Sequence, residues 1–144
     1  MFGPRVSVAP MMNSGIELAF GIFVDPQFGP LVMVAMGGRL IELMSDRAVG
    51  LAPFDREEGH RLLSRLRGRP LLDGLRGAPP VDVDALARAL AQLSVLGASL
   101  SDCLKSLDAN PIIAGPTGCV AADALVVGRG MEGEFERLDH SESA

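Results

Sequence analysis

Near the carboxyl end, Asp108 and Asn110 stand two residues apart in the run LKSLDANPIIAG, and Asp123 follows in CVAADALVVG. In an extended strand, residues two apart share a face, so the first two side chains point the same way. If the chain folds back around Gly115-Pro116-Thr117-Gly118 with Ala114 opposite Cys119, Asn110 lies directly opposite Asp123. Three hard oxygen donors then meet on one face. A sparse set of carboxylate and amide oxygens, leaving room for water and phosphate, suits Mg²⁺ held together with a nucleotide. The same residues also fit an ordinary solvated polar face, with Asn110 ending a strand before Pro111.

A second candidate is Gly37-Gly38, a pair set between apolar runs. Two such glycines supply the positive φ angles of a primed hairpin turn, and they also let backbone amides approach a phosphate. Arg61, Arg65, Arg67, Arg69 and Arg76 gather in one stretch. They could meet phosphates, but no aromatics are interleaved with them, and a solvated helix face is the simpler reading. His60 falls within a helical pattern and His140 near the end, and both read as surface residues.

The elements that would position these groups are written in the hydrophobic pattern. Short apolar runs at 6–8, 16–24, 31–36, 40–44 and 49–52 alternate with turn residues, as in an antiparallel meander. Asp55, with Glu58 three residues on, makes a capping-box start for a helix that buries Leu62, Leu63 and Leu66. A glycine- and arginine-rich connector over 67–80 leads to Asp82, which caps a second helix carrying Leu86, Leu90 and Leu93 and stopped by Gly97. Extended segments return at 104–113 and 119–127, and residues 128–144 read as an acidic, disordered tail. The expected fold class is α+β, an antiparallel sheet with two main helices in residues 1–127.

Composition sets the outer limits. With 48% of its residues hydrophobic and 17 glycines among 144 residues, the chain is too apolar for disorder to be its default, and its length suits one domain or a piece of one. A net charge of −5 argues against wholesale nucleic-acid binding. Apolar runs such as 30–36 fall far short of the roughly 20 residues a membrane helix needs. Pro10 and the Asn13-Ser14 pair interrupt any export signal. Cys103 and Cys119 read as reduced thiols of a cytoplasmic protein.

Several blocks carry more than local information. They are Gly15-Ile16-Glu17-Leu18 with Gly21, Asp25-Pro26-Gln27-Phe28-Gly29-Pro30, Gly37-Gly38, Glu42, Asp46, Leu51-Ala52-Pro53, Leu72 with Gly74, Arg76-Gly77, and Leu107-Asp108 with Asn110-Pro111, followed by Asp123. Together, over about residues 8–127, they resemble the ATP-grasp domain of the NDP-forming acyl-CoA synthetases, which include acetate:CoA ligase (ADP-forming) and its acetyltransferase-fused relatives. The resemblance implies the second subdomain of an ATP-grasp fold, its C-terminal half, closing over ATP or ADP from one side. It implies that Asn110 and Asp123 are Mg²⁺ ligands with Asp108 beside them, and that Glu17, Gly37, Gly38 and Arg76 lie on the nucleotide side. Glu17 also reads as a plain outward-facing strand carboxylate.

The chain departs from the family pattern at four positions, with Ala9 for Gln, Ala35 for Gly, Gly50 for Arg and Ser106 for Glu. Loss of a guanidinium near a polyphosphate removes a charge-assisted contact, so weakened nucleotide affinity is expected. The resemblance also implies partners: the missing ATP-grasp half, a CoA-binding domain and a histidine that relays phosphate, in the same or another chain. Neither His60 nor His140 matches that relay. Two functions follow. One is part of an enzyme that makes acyl-CoA from acid, CoA and ATP through an acyl phosphate and a phosphohistidine, inactive alone. The other is a non-catalytic, degenerate ATP-grasp-like binding or structural module. Either leaves an apolar face or strand edge open, so self-association into a homo-oligomer is expected.

Overall fold

The computed structural model describes residues 11, 15–38, 45–75 and 77–130. The expectations for strands at 6–8 and 40–44, for Ala9, Glu42, Arg76 and His140, and for the tail beyond residue 130 lie outside these described residues. The order of elements is β1 (Ile16–Asp25), β2 (Gly29–Met36), β3 (Arg47–Leu51), α1 (Arg56–Ser64), α2 (Arg69–Leu72), α3 (Val83–Ser99), β4 (Leu104–Gly115), β5 (Gly118–Ala121) and β6 (Ala124–Gly128). The class is α+β, and the sheet is antiparallel with strand order β3-β2-β1-β4-β5, β6 also pairing with β4. No helix among the described residues is long and apolar enough to cross a membrane.

Strand alternation divides the sheet into two unlike faces. Leu18, Phe20 and Ile22 of β1, Val32, Val34 and Met36 of β2, and Ala48 of β3 are buried in one core with Leu62, Leu63, Leu72, Leu86 and Leu90 of the helical layer. The residues between them point the other way, and Glu17, Phe23, Arg47, Val49 and Leu51 are exposed there. Among the described residues, helices therefore cover one face and leave the other open.

Both main helices begin where local rules place them. The Asp55 carboxylate accepts the Glu58 amide at 3.0 Å, and that of Asp82 accepts the Ala85 amide at 2.9 Å, satisfying donors that have no partner inside the helix. Three expectations need correction. The connector contains α2, with a proline in its first turn. Gly37-Gly38 does not close a two-residue hairpin, because β2 pairs with β3, from Leu31 opposite Leu51 to Ala35 opposite Arg47. Gly97 does not end α3, which continues to Ser99; a Cβ at Gly97 would stand 3.0 Å from Ile22 Cγ2, so the glycine lets helix and strand approach.

Asp46, 7% exposed, ties the layers together. Its Oδ1 accepts the Arg67 amide at 2.8 Å and its Oδ2 the Gly68 amide at 2.7 Å, while its carbonyl accepts the Met36 amide at 3.1 Å. At the surface, Asp84 of α3 meets Arg56 and His60 of α1 at 3.3 and 3.1 Å and also pairs with Arg88. The His60 hydrogen bond, opposed by desolvation and aided by the charges of Arg56 and Arg88, holds the Asp84 carboxyl below its ordinary value.

These contacts generate three predictions. A Cβ at Gly59 would lie 2.6 Å from the Ala87 carbonyl oxygen across the α1–α3 crossing; the overlap outweighs the helix propensity gained, and Gly59→Ala should lose about 1–2 kcal/mol in urea unfolding. Asp46→Ala strands two amides and should cost roughly 2–4 kcal/mol, with Asp46→Asn recovering part of it. Because the folded Asp84 carboxyl titrates below 3.8, its contribution is complete above that value and lost as pH falls through the folded value. The stability gap between the protein and Asp84→Asn should accordingly be present at neutral pH and close in strong acid.

Candidate functional site

The central strand β4 carries most of the candidate site, and its shape departs from simple alternation. Leu18 of β1 pairs with Ile112, whereas Phe20 pairs with Ala109. Ala19 thus faces both Asn110 and Pro111, a β-bulge. Ala109 is buried before the bulge, and Ile112 and Ala114 are buried after it. Without the extra residue one of these sets would face solvent. Asp108 and Asn110, on either side of Ala109, are exposed on the open face.

On the other edge of β4 the expected register is present. Ala114 pairs with Cys119 and Gly115 with Gly118, so the turn tightens to Pro116-Thr117. The same register continues through β6, from Ala109 opposite Ala124 to Ser106 opposite Val127. Between the two strands, the Asn110 amide donates to the Asp123 carbonyl at 3.2 Å and the Ala122 amide to the Pro111 carbonyl at 2.9 Å. Asn110 is therefore opposite Asp123, and Asp108 is opposite Leu125. The Asp123 side chain is exposed, with Oδ1 accepting the Ala124 amide at 2.8 Å. Among the described residues no three His, Cys, Asp or Glu side chains form a metal cluster. The donor set at issue comprises two carboxylates and one amide.

A cavity of about 260 Å³ opens on the same face. Ala19, Met33 and Ala35 form its floor, while Gly37, Gly38, Ser45, Asp46, Arg47 and Asn110 surround it. Gly37, Gly38 and Asn110 thus share one hollow. Their roles differ from a simple pair of amide donors. The Gly37 amide is committed to the Glu17 carbonyl at 2.8 Å, and a Cβ at Gly37 would lie 2.9 Å from that carbonyl. Gly38 adopts φ +92° with open space around it. Glu17 lies opposite Ile113 with an exposed side chain and is not among the cavity's lining residues.

Sequence reasoning passed over Asp46 as a structural tie and Arg47 as a lining residue. No polar–apolar alternation in Arg47-Ala48-Val49-Gly50-Leu51 signals this; the alternation is one of burial. It also corrects the reading of position 50. A Cβ there would meet Leu62 Cδ1 at 3.0 Å and Phe54 Cε1 at 3.3 Å, so Gly50 faces the helical layer, and an arginine at this position would not start toward the open face. Ala35 lines the cavity, and Ser106 pairs with the exposed Phe23, so these two departures belong to the open face. Arg61 and Arg69 are paired with Glu58 and Asp73 along the helices, as a solvated face would have them.

Comparison with known proteins gives the arrangement its context. The family model described as an ATP-grasp domain matches residues 3–127. The β subunit of acetate–CoA ligase (ADP-forming) II from Pyrococcus furiosus is 32% identical over 127 residues, covering 87% of this chain and 54% of the relative. The apo structure of dinucleotide-forming acetyl-coenzyme A synthetase 1 from Ca. Korarchaeum cryptofilum superposes with a TM-score of 0.79 at 34% identity, over 83% of this chain and 57% of that one. A second structure of that enzyme, in complex with coenzyme A and Mg-AMPPCP, gives 0.78 at 35% identity, over 82% and 55%. The chain spans about half the length of these relatives. It belongs to the ATP-grasp family, in the form found in the ADP-forming acyl-CoA synthetases.

Proposed function

We propose that the open face of this sheet is the Mg²⁺-nucleotide wall of an ADP-forming acyl-CoA synthetase, the C-terminal half of its ATP-grasp domain. The complete enzyme would convert ATP, an acid and CoA to acyl-CoA, ADP and phosphate. The observation that carries the reading is the hollow on the uncovered face, where Asn110 meets the rim of Gly37 and Gly38. The family match and the Mg-AMPPCP complex of a relative support it.

The donors fit the ion. Mg²⁺ takes hard oxygens, retains several waters and is shared with phosphates, and exposed Asp108, Asn110 and Asp123 offer a sparse, accessible set. On this reading Asn110 and Asp123 hold the metal with Asp108 beside them, while Glu17, Gly37, Gly38 and Arg76 serve ATP or ADP. Bound there, Mg²⁺ would neutralise charge on the phosphates. The chain's own part is positional: a backbone hydrogen bond fixes Asn110 against Asp123, and Gly38 leaves the rim free of a side chain. The opposing ATP-grasp half and the CoA-binding domains are supplied by the same or another chain. With the open face uncovered, the chain alone self-associates. The free thiols of Cys103 and Cys119 accord with a cytoplasmic setting.

A second reading, a module that kept the fold and lost the chemistry, is favoured by Ala35 and Ser106, which stand on the open face where the family has glycine and glutamate. NMR titration of the chain with ADP, with and without Mg²⁺, separates the two. The nucleotide wall predicts weak binding, on about the millimolar scale, that tightens with Mg²⁺ and loses this dependence in Asn110→Ala and Asp123→Ala. Binding indifferent to Mg²⁺ and to both substitutions, or no binding at all, would sink it. A coupled assay with acetate, CoA and ATP should show no sustained ADP release by the chain alone. Release abolished by Asp123→Ala would instead reveal a complete site.

A further inference from the structure

Arg47 begins β3 and pairs across the sheet with Ala35. Its neighbour Ala48 is buried and Arg47 itself is exposed, so its side chain starts from the open face. It lines the hollow that also holds Gly38 and Asn110. Among the described residues Arg47 makes no ion pair, whereas Arg56 and Arg88 meet Asp84, Arg61 meets Glu58 and Arg69 meets Asp73. Asp46 lines the hollow too, but both of its carboxylate oxygens are held by backbone amides and it is 7% exposed. An exposed guanidinium with no ion pair among the described residues thus lines a cavity whose lining also includes Asn110.

The spacing between these two residues says what size of anion they could share. Strand order places Arg47 on β3 and Asn110 on β4, with β2 and β1 between them. Three strand spacings separate their backbones by roughly 14 Å. Side chains stand roughly perpendicular to a sheet, so the two groups stay about that far apart, too wide for one phosphate and suited to a chain of them. Guanidinium is the group best matched to such oxygens, because its N–H fork can engage two at once.

From this juxtaposition we infer that Arg47 is a binding residue for the polyphosphate chain of a nucleoside di- or triphosphate, gripping the end remote from Asn110. The inference rests on the nucleotide reading above and adds a cation that neither the family resemblance nor the matched blocks assign. It also answers the departure at Gly50. Position 50 faces the helices, and the positive charge on the open face comes from three residues earlier in the same strand.

The test is NMR titration of the isotope-labelled chain with tripolyphosphate, Mg·ADP, orthophosphate and adenosine. Tripolyphosphate and Mg·ADP should shift the Arg47 Nε–H, Gly38 amide and Asn110 side-chain signals, and orthophosphate should not compete. Arg47→Ala should weaken tripolyphosphate binding about tenfold or more, with Arg47→Lys between the two and adenosine unaffected. Arg65→Ala removes another exposed arginine that has no ion pair among the described residues, and should change nothing. Retention of tripolyphosphate affinity within about twofold in Arg47→Ala, or an equal loss in Arg65→Ala, would overturn the assignment. Mg·ADP binding that fails in Asn110→Ala but survives in Arg47→Ala would overturn it while leaving the nucleotide wall standing. A wild-type chain that binds neither ligand would overturn both.

Discussion

The buried carboxylate of Asp46 joins segments that neither the sheet nor the helices would hold together alone. It receives the Arg67 and Gly68 amides from the stretch after α1, and its own carbonyl receives the Met36 amide at the end of β2. Polar groups taken from water require partners, and here each side satisfies the other. The fit is tight, since a Cβ on Gly68 would lie 2.8 Å from Met36 Cγ. Arg47 follows directly in the chain, so the lip of the hollow inherits its position from a contact made on the opposite side of the sheet.

From that anchor the two faces take on separate duties. The covered face is a continuous apolar layer in which α1 and α3 cross closely at Gly59 and Ala87 and α3 reaches β1 at Gly97. The open face collects small residues, methionine and the polar groups of β3 and β4. The bulge opposite Ala19 reconciles them. It lets β4 keep Asp108 and Asn110 outward and still return Ile112 and Ala114 to the core.

The parts of this arrangement that the sequence disclosed were those fixed by nearby residues. Asp55 and Asp82 are caps because a carboxylate next to free amides needs nothing distant to act. The pairing of Asn110 with Asp123 followed from a short turn whose ends leave little choice of register. The partner of β2 was hidden because several residues separate Gly38 from β3, and no local rule says which apolar run returns. Gly97 misled because a glycine that ends a helix and one that admits a neighbouring strand look alike until the neighbour is known. Gly50 was misread and Arg47 passed over, because the faces of β3 depend on a strand beginning two residues before its apolar run.

The one-sided cover has a consequence for how such a chain can change over generations. Residues beneath the helices answer to packing, where a single methyl group is felt. Those on the open face answer to whatever lies against them. Ala35 and Ser106, two of the positions at which the chain departs from the pattern it resembles, lie on that open face rather than in the core. Substitutions away from the Asp46 anchor can therefore alter the open face while leaving the packing beneath the helices as it is, so drift there escapes the constraint that the core imposes.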